Sequence, residues 1–208
     1  MTINLIEVGG LKAALKAMRL PMDSGKKSDT VIIQEDGVSN YQAIVGPVDK
    51  DLSMRLQKAG PEHCKHLLQV VAWLDIKCPR QWWIEFDTYR FGVEKVSCST
   101  MHTLMRRPIS ADDFEHDCMN DDYLNYVIEN INYSMDEWRS EKDENEKKKI
   151  WRSIIEALPQ SYLQERVVMV SYAALRNIVR QREGHKLHEW AQFIEFCKTL
   201  PESWMIFE

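Results

Sequence analysis

The residues best equipped for chemistry lie in 78–102, CPRQWWIEFDTYRFGVEKVSCSTMH. Adjacent Trp82 and Trp83 stand among Arg80, Arg90, Glu85 and Asp87, and a hydroxyl-rich run from Ser97 through Ser99 ends at His102. Tryptophan and tyrosine cover large areas yet need a partner for the polar tip. Guanidinium forks grip planar oxyanions, so rings, arginines and hydroxyls together suit a wall for a flat anionic ligand such as a nucleotide. The competing reading is a buried tryptophan-rich helix followed by a polar turn.

A second cluster follows at 176–188, where Arg176, Arg180, Arg182, His185, Lys186 and His188 crowd the end of an expected helix. The helix dipole accounts for some of these cations at a C-terminus. Six such groups exceed what capping needs, and the surplus points to an anion pocket. Other constellations carry less. His63 and His66 share a three-residue spacing, but zinc wants three or four ligands, so no metal site is expected. Cys98 and His102 are neighbours in sequence, which does not make a nucleophile–base pair. Glu85 and Asp87 would point to opposite faces of a strand, or about 200° apart on a helix, and neither suits shared acid–base work.

The elements that position these residues read as follows. Residues 2–8 alternate as a strand, and Gly9-Gly10 leads into a helix over 11–20 with Leu11, Ala14, Leu15 and Met18 inward. A hairpin is expected around Asp36-Gly37, and helices over 47–58 and 61–77. Residues 123–158 read as mostly helical, and the charged run 136–149 as a solvated face or a projecting helical hairpin. Residues 162–172 suit an extended segment, followed by helices over 173–182 and 187–200.

Composition sets the outer bounds. The chain has 208 residues, 27 basic against 32 acidic, and a net charge of −5, which gives no global pull toward nucleic acid. Five scattered cysteines without a CxxC pair fit reduced thiols. No signal peptide or apolar span is visible. A single domain over 1–208, soluble and cytoplasmic, is expected.

Together, the segments GPEHCKH, PRQWW…TYRFG…SCSTMH, LPQSY and SYAALRNIVRQR…HKLHEW resemble the flavin-dependent thymidylate synthases over most of 60–200. The resemblance implies an α/β (α+β), helix-rich fold with a small sheet and long helices, assembled as a homotetramer with ligand sites at subunit interfaces. It implies a flavoprotein that uses FAD to methylate dUMP. His63 falls near the family's early histidine, and Arg90 with residues 97–102 falls at its flavin signature. The resemblance thus implies FAD contacts at His63, Trp82, Tyr89, Arg90, Ser97, Ser99 and His102. It places Arg182 against the dUMP base as the catalytic cation, with Arg80, Arg176, Arg180, His185, Lys186 and His188 around the nucleotide. Where the family carries Arg-His-Arg, this chain reads Thr88-Tyr89-Arg90, and Ser171 and Ala173 stand where Asn and Arg are usual.

Three functions follow. The first is a nucleotide-binding enzyme of this kind. The second is a catalytically silent binder of a nucleotide or nucleotide signal, a sensor or a sponge such as a phage genome could carry for counter-defence. The third is a structural oligomer whose tryptophans and arginines serve contacts alone. Replacing Arg182 by alanine is expected to weaken ligand binding and spare the fold.

Overall fold

The computed structural model describes residues 1–34 and 41–208. The fold is a helix-rich α+β one. In chain order the elements are β1 (Thr2–Gly9), α1 (Leu11–Arg19), β2 (Val31–Gln34), β3 (Tyr41–Ile44), α2 (Pro47–Ala59), β4 (Val71–Pro79), α3 (Arg80–Phe86), β5 (Val93–Ser97) and α4 (Thr100–Thr103). There follow α5 (Asp121–Ser140), α6 (Glu144–Ala157), β6 (Leu163–Ser171), α7 (Tyr172–Arg182), α8 (His188–Lys198) and α9 (Trp204–Phe207). One sheet has the strand order β1-β4-β6-β5. Strands β2 and β3 pair antiparallel with Val31 opposite Ile44, while the turn expected at Asp36-Gly37 lies outside the described residues. Among the described residues no helix is long and apolar enough to cross a membrane.

The helix expected over 61–77 is not there. Two short 3-10 turns, Pro61–His63 and Lys65–Leu68, precede strand β4. Within β4, Ala72, Leu74, Ile76 and Cys78 are buried, and Val71, Trp73, Asp75 and Lys77 between them are only half-buried. That is period two, which the apolar residues at 67, 70, 71 and 74 concealed by also fitting a helical stripe. The helical reading of 123–158 divides at 141–143. Asn120 caps α5 through Tyr123 N–H, and Asp143 caps α6 by accepting from the Asn145 and Glu146 amides. Helices α5 and α6 pack as a hairpin, which leaves the charged run solvated.

The chain forms two compact units. One comprises Met1–Thr2, Ile76–Thr88 and Val96–Arg166; the other comprises Ile3–Asp75, Tyr89–Lys95 and Val167–Glu208. The first is built on Leu104, Ile109, Phe114, Leu124, Ile131, Met135, Ile154 and Leu158. In the same unit α3 buries Trp82 completely, with its ring 4.9 Å from Trp83 and 4.8 Å from Phe86. In the second unit α1 packs on the Lys65–Leu68 turn, and α7 packs on that turn, on α8 and on α9. Tyr172, Leu175, Ile178, Trp190 and Phe193 are buried there. Positive-φ Gly92 is one of this unit's tight places: a Cβ on it would lie 2.4 Å from Ser171 Oγ. Only glycine admits so close an approach at that backbone conformation.

Candidate functional site

A cleft in the first unit gathers much of the central motif. Helix α3 starts at Arg80 because Pro79 stands before it in an extended conformation, and the Arg80 and Gln81 amides donate to the Tyr162 and Gln160 carbonyls. This fixes the first turn, so that Arg80 and Trp83 lie on one wall of a cavity of about 500 Å³. Ser97, Ser99 and Thr100 line it as well, and Ile84, Ile155 and Leu158 supply apolar surface. Arg80 Nη1 donates to the Leu158 carbonyl at 3.4 Å. Trp83 is 1% exposed, and its indole N–H donates to the Gln164 carbonyl at 2.9 Å, which locks the ring.

The central cation of this cleft is Arg166, which sequence reasoning missed. Its guanidinium sits 4.3 Å from the centre of the Trp83 ring. Nη1 donates to both Asp87 oxygens at 2.8 and 3.1 Å, and Nη2 donates to Gln164 Oε1 at 2.8 Å. A stacked and doubly bonded arginine is a rigid positive centre beside an aromatic wall. Its signal in sequence was faint, a single arginine in the alternating strand segment QERVV.

An adjoining cavity of about 450 Å³ shares Cys98, Thr100 and Gln164 with the first and adds Lys77, Arg106 and Arg107. Arg107 binds Asp113 through both nitrogens, at 2.7 and 2.5 Å. Burial alone would raise the Asp113 carboxyl. The Arg107 bonds and the Ser110 amide outweigh it and hold the group below its ordinary value. Burial, and then the Asp113 charge, push the Tyr162 phenol up. Three carboxylates, Asp87, Asp113 and Glu165, thus balance part of a basic lining.

The second unit brings together Tyr89 and Arg182. Arg182 Nε donates to the Tyr89 hydroxyl at 2.8 Å, and that hydroxyl donates to Gln181 Oε1 at 3.1 Å. The guanidinium lies 4.6 Å from the Trp190 ring centre and 5.4 Å from that of Tyr89. Arg182 therefore packs between two rings, contrary to the expectation that it adds little to packing. A cavity of about 380 Å³ at the end of α7 is lined by Arg180, Arg182, His185 and Lys198, with Ile206 and Phe207 from α9. His185 accepts from the Leu187 amide through Nδ1.

The remaining expected residues are dispersed. Arg176 turns toward Glu208, whose carbonyl accepts from Nη2 at 2.9 Å, and toward Cys64 Sγ at 4.0 Å. Burial first, and then the Arg180 charge, lower its basicity. His63 is exposed beside Glu62, whereas His66 is buried against Ser53 Oγ at 2.7 Å, so the two histidines do not share a face. Arg90, His102, Lys186 and His188 are exposed and line none of these cavities.

No protein-family model matches this chain. No curated protein matches it either. Many solved structures share its fold, two of them being these. A crystal structure of thymidylate synthase X (ThyX) from Helicobacter pylori with FAD and dUMP superposes with a TM-score of 0.73 at 18% identity, over 100% of this chain and 98% of that one. A second, flavin-dependent thymidylate synthase ThyX from Helicobacter pylori complexed with FAD and dUMP, gives 0.70 at 20% identity with the same coverage. At such identities the likeness establishes the fold.

Proposed function

We propose that this protein is a nucleotide-binding protein built on the ThyX fold, and that the Trp83 cleft takes a flat ring bearing phosphate. The observation that carries the reading is Arg166, fixed 4.3 Å from the Trp83 ring in the same cavity as Arg80 and the Ser97, Ser99 and Thr100 hydroxyls. Its volume of about 500 Å³ falls within the range of small-molecule sites. Each group has a separate task. Arg80 and the one remaining Arg166 N–H hold oxyanion oxygens, the hydroxyls complete the remaining lone pairs, and Ile84 with Ile155 keeps water from the ring.

FAD and dUMP are the first ligands to try, because two structures of like fold hold both. The cleft's chemistry fits either phosphate. For FAD, Arg80 and Arg166 would hold phosphate and Ile84 and Ile155 would face a ring; bound flavin supplies two-electron redox chemistry. The protein's own part is to bind, orient and shield.

Holding the ligand without turning it over is favoured by two observations. Arg182, the cation that the resemblance sets against the base, does not line the Trp83 cleft. Thr88-Tyr89-Arg90 also stands in place of the Arg-His-Arg triplet. Binding is therefore the main reading and methylation of dUMP the extension of it.

The test is titration of purified protein with FAD, FMN and dUMP, followed by tryptophan fluorescence, with mass spectrometry of any small molecule released on denaturation. Saturable quenching by at least one of them, weakened roughly 10–150-fold in Arg166→Ala, is expected from the loss of a charge-assisted bond of about 1.5–3 kcal/mol. Ligand recovered unchanged, with no dTMP formed from dUMP and methylene-folate, supports holding over turnover, and dTMP formation would make the protein an enzyme. No quenching and no thermal shift with any of the three would overturn the assignment.

A further inference from the structure

The second unit holds a cavity that the proposed nucleotide cleft does not use. It lies along α1 and the segment after it, has a volume of about 310 Å³, and is lined by Lys12, Leu15, Lys16, Arg19, Leu20 and Ile32 among others. Residues 12, 15, 16 and 19 fall on one face of a helix. Helix α1 therefore presents two lysines and an arginine beside an apolar floor of Leu15, Leu20 and Ile32. Asp23 is the carboxylate in the lining, so cations outnumber anions three to one.

Arg19 separates this cavity from an ordinary basic dimple. Its side chain is 5% exposed, and Asp49, itself fully buried, accepts from its Nε. Nη1 reaches the Ser24 carbonyl at 3.4 Å, a long contact. Nη2 is buried with no hydrogen-bond partner. A guanidinium nitrogen without an acceptor is costly to bury, and an oxyanion in the cavity that Arg19 lines would relieve it once the side chain shifts to open Nη2 to the cavity. Asp49 does not serve as that acceptor, because its other oxygen is taken by Ser28 Oγ, Thr30 N–H and Thr30 Oγ1.

We propose that this cavity is a second ligand site, for a small organic anion with one carboxylate or phosphate group on a compact apolar body. The head would meet Lys12, Lys16 and Arg19, and the body would lie on Leu15, Leu20 and Ile32. The volume sits at the low end for ligand pockets, which suits a single ring. The inference is independent of the Trp83 cleft.

The experiment uses phenyl phosphate and benzoate as probes on the intact protein. Inorganic phosphate tests the head alone, and phenol tests the body alone. Affinity is read by calorimetry and location by the methyl NMR signals of Leu15, Leu20 and Ile32. At least one ring-bearing anion is expected to bind saturably and shift those methyls, at least about tenfold tighter than phosphate or phenol, since head and body each contribute. Preference between the two probes distinguishes a phosphate from a carboxylate ligand. The Lys12→Gln/Lys16→Gln pair is exposed and should fold normally, and it should lose about tenfold or more in affinity, with the residual binding weakened by salt. Binding equal for phenol and the anions, unshifted methyls, or affinity unchanged in the double variant would each overturn the proposal.

Discussion

Replacing Asp49 by asparagine should be among the most destabilising polar substitutions in this protein. Asp49 is 0% exposed and Arg19 4%. One carboxylate oxygen accepts from Arg19 Nε, and the other accepts from Ser28 Oγ, Thr30 N–H at 3.2 Å and Thr30 Oγ1 at 2.6 Å. Asparagine retains one acceptor oxygen. If its amide nitrogen faces Arg19, two donors oppose each other. If it faces residue 30, the Thr30 amide loses its acceptor. In either orientation the guanidinium loses its counter-charge, and in the first it retains only the long contact to the Ser24 carbonyl. Breaking a buried pair from one side costs about 3–5 kcal/mol. Against a net stability of about 5–15 kcal/mol this is a fifth or more of the total.

Urea unfolding followed by tryptophan fluorescence measures the loss. With a slope near 2 kcal/mol per M, the midpoint should fall by about 1.5–2.5 M at unchanged slope. Acid supplies a second readout. Burial on its own would raise the Asp49 carboxyl, but the bonds from Ser28, Thr30 and Arg19 and the Arg19 charge hold it below the ordinary 3.8. A depressed carboxylate contributes stability that is complete above the unfolded value and vanishes as pH falls through the lower folded value. The gap between wild type and Asp49→Asn should therefore be widest above pH 3.8 and narrow below it. Removing both charges with Arg19→Met/Asp49→Leu should recover part of the loss, because no ion is then left buried alone while the Thr30 amide still lacks its acceptor. A midpoint shift under about 0.5 M, or a gap that widens in acid, would show that the pair does not hold α1 to α2.

Three further outcomes follow from single contacts. Gly92→Ala should cost at least about 2 kcal/mol in chemical denaturation, because a Cβ at φ 69° would strike Ser171 Oγ, the cap of α7; a neutral substitution would contradict that packing. Arg182→Ala should lower stability by about 1–2 kcal/mol through the lost Tyr89 bond and ring stacking, and an unchanged unfolding midpoint would return Arg182 to a purely ligand-facing role. Burial first lowers the His66 imidazole, with the Arg176 charge helping, so neutral His66 is the folded form. The unfolded chain then binds the extra proton, and stability should fall as pH drops below 6.5; His66→Gln should abolish that slope between pH 7.5 and 5.5, and an equal slope in both proteins would assign it elsewhere.

What was legible in the sequence was local, and what was missed was set by register. Helix α1 could be read from Gly10, Pro21 and the apolar face between them, and the buried tryptophans of α3 from composition alone. Arg166 could not, because its meaning comes from Asp87, 79 residues away, and from the Trp83 ring. The cationic cluster shows the opposite error. Arg176 and Arg182 look close in sequence, but six residues on a helix turn through about 600°, which leaves their side chains about 120° apart. One accordingly turns to Cys64 and Glu208, and the other to Tyr89 and Trp190. A count of like charges in a window measures a pocket only when the helical angle between them is small. Arg176 and Arg180, four residues apart, meet that condition. The Arg180 charge is accordingly one of the two causes that lower the basicity of Arg176.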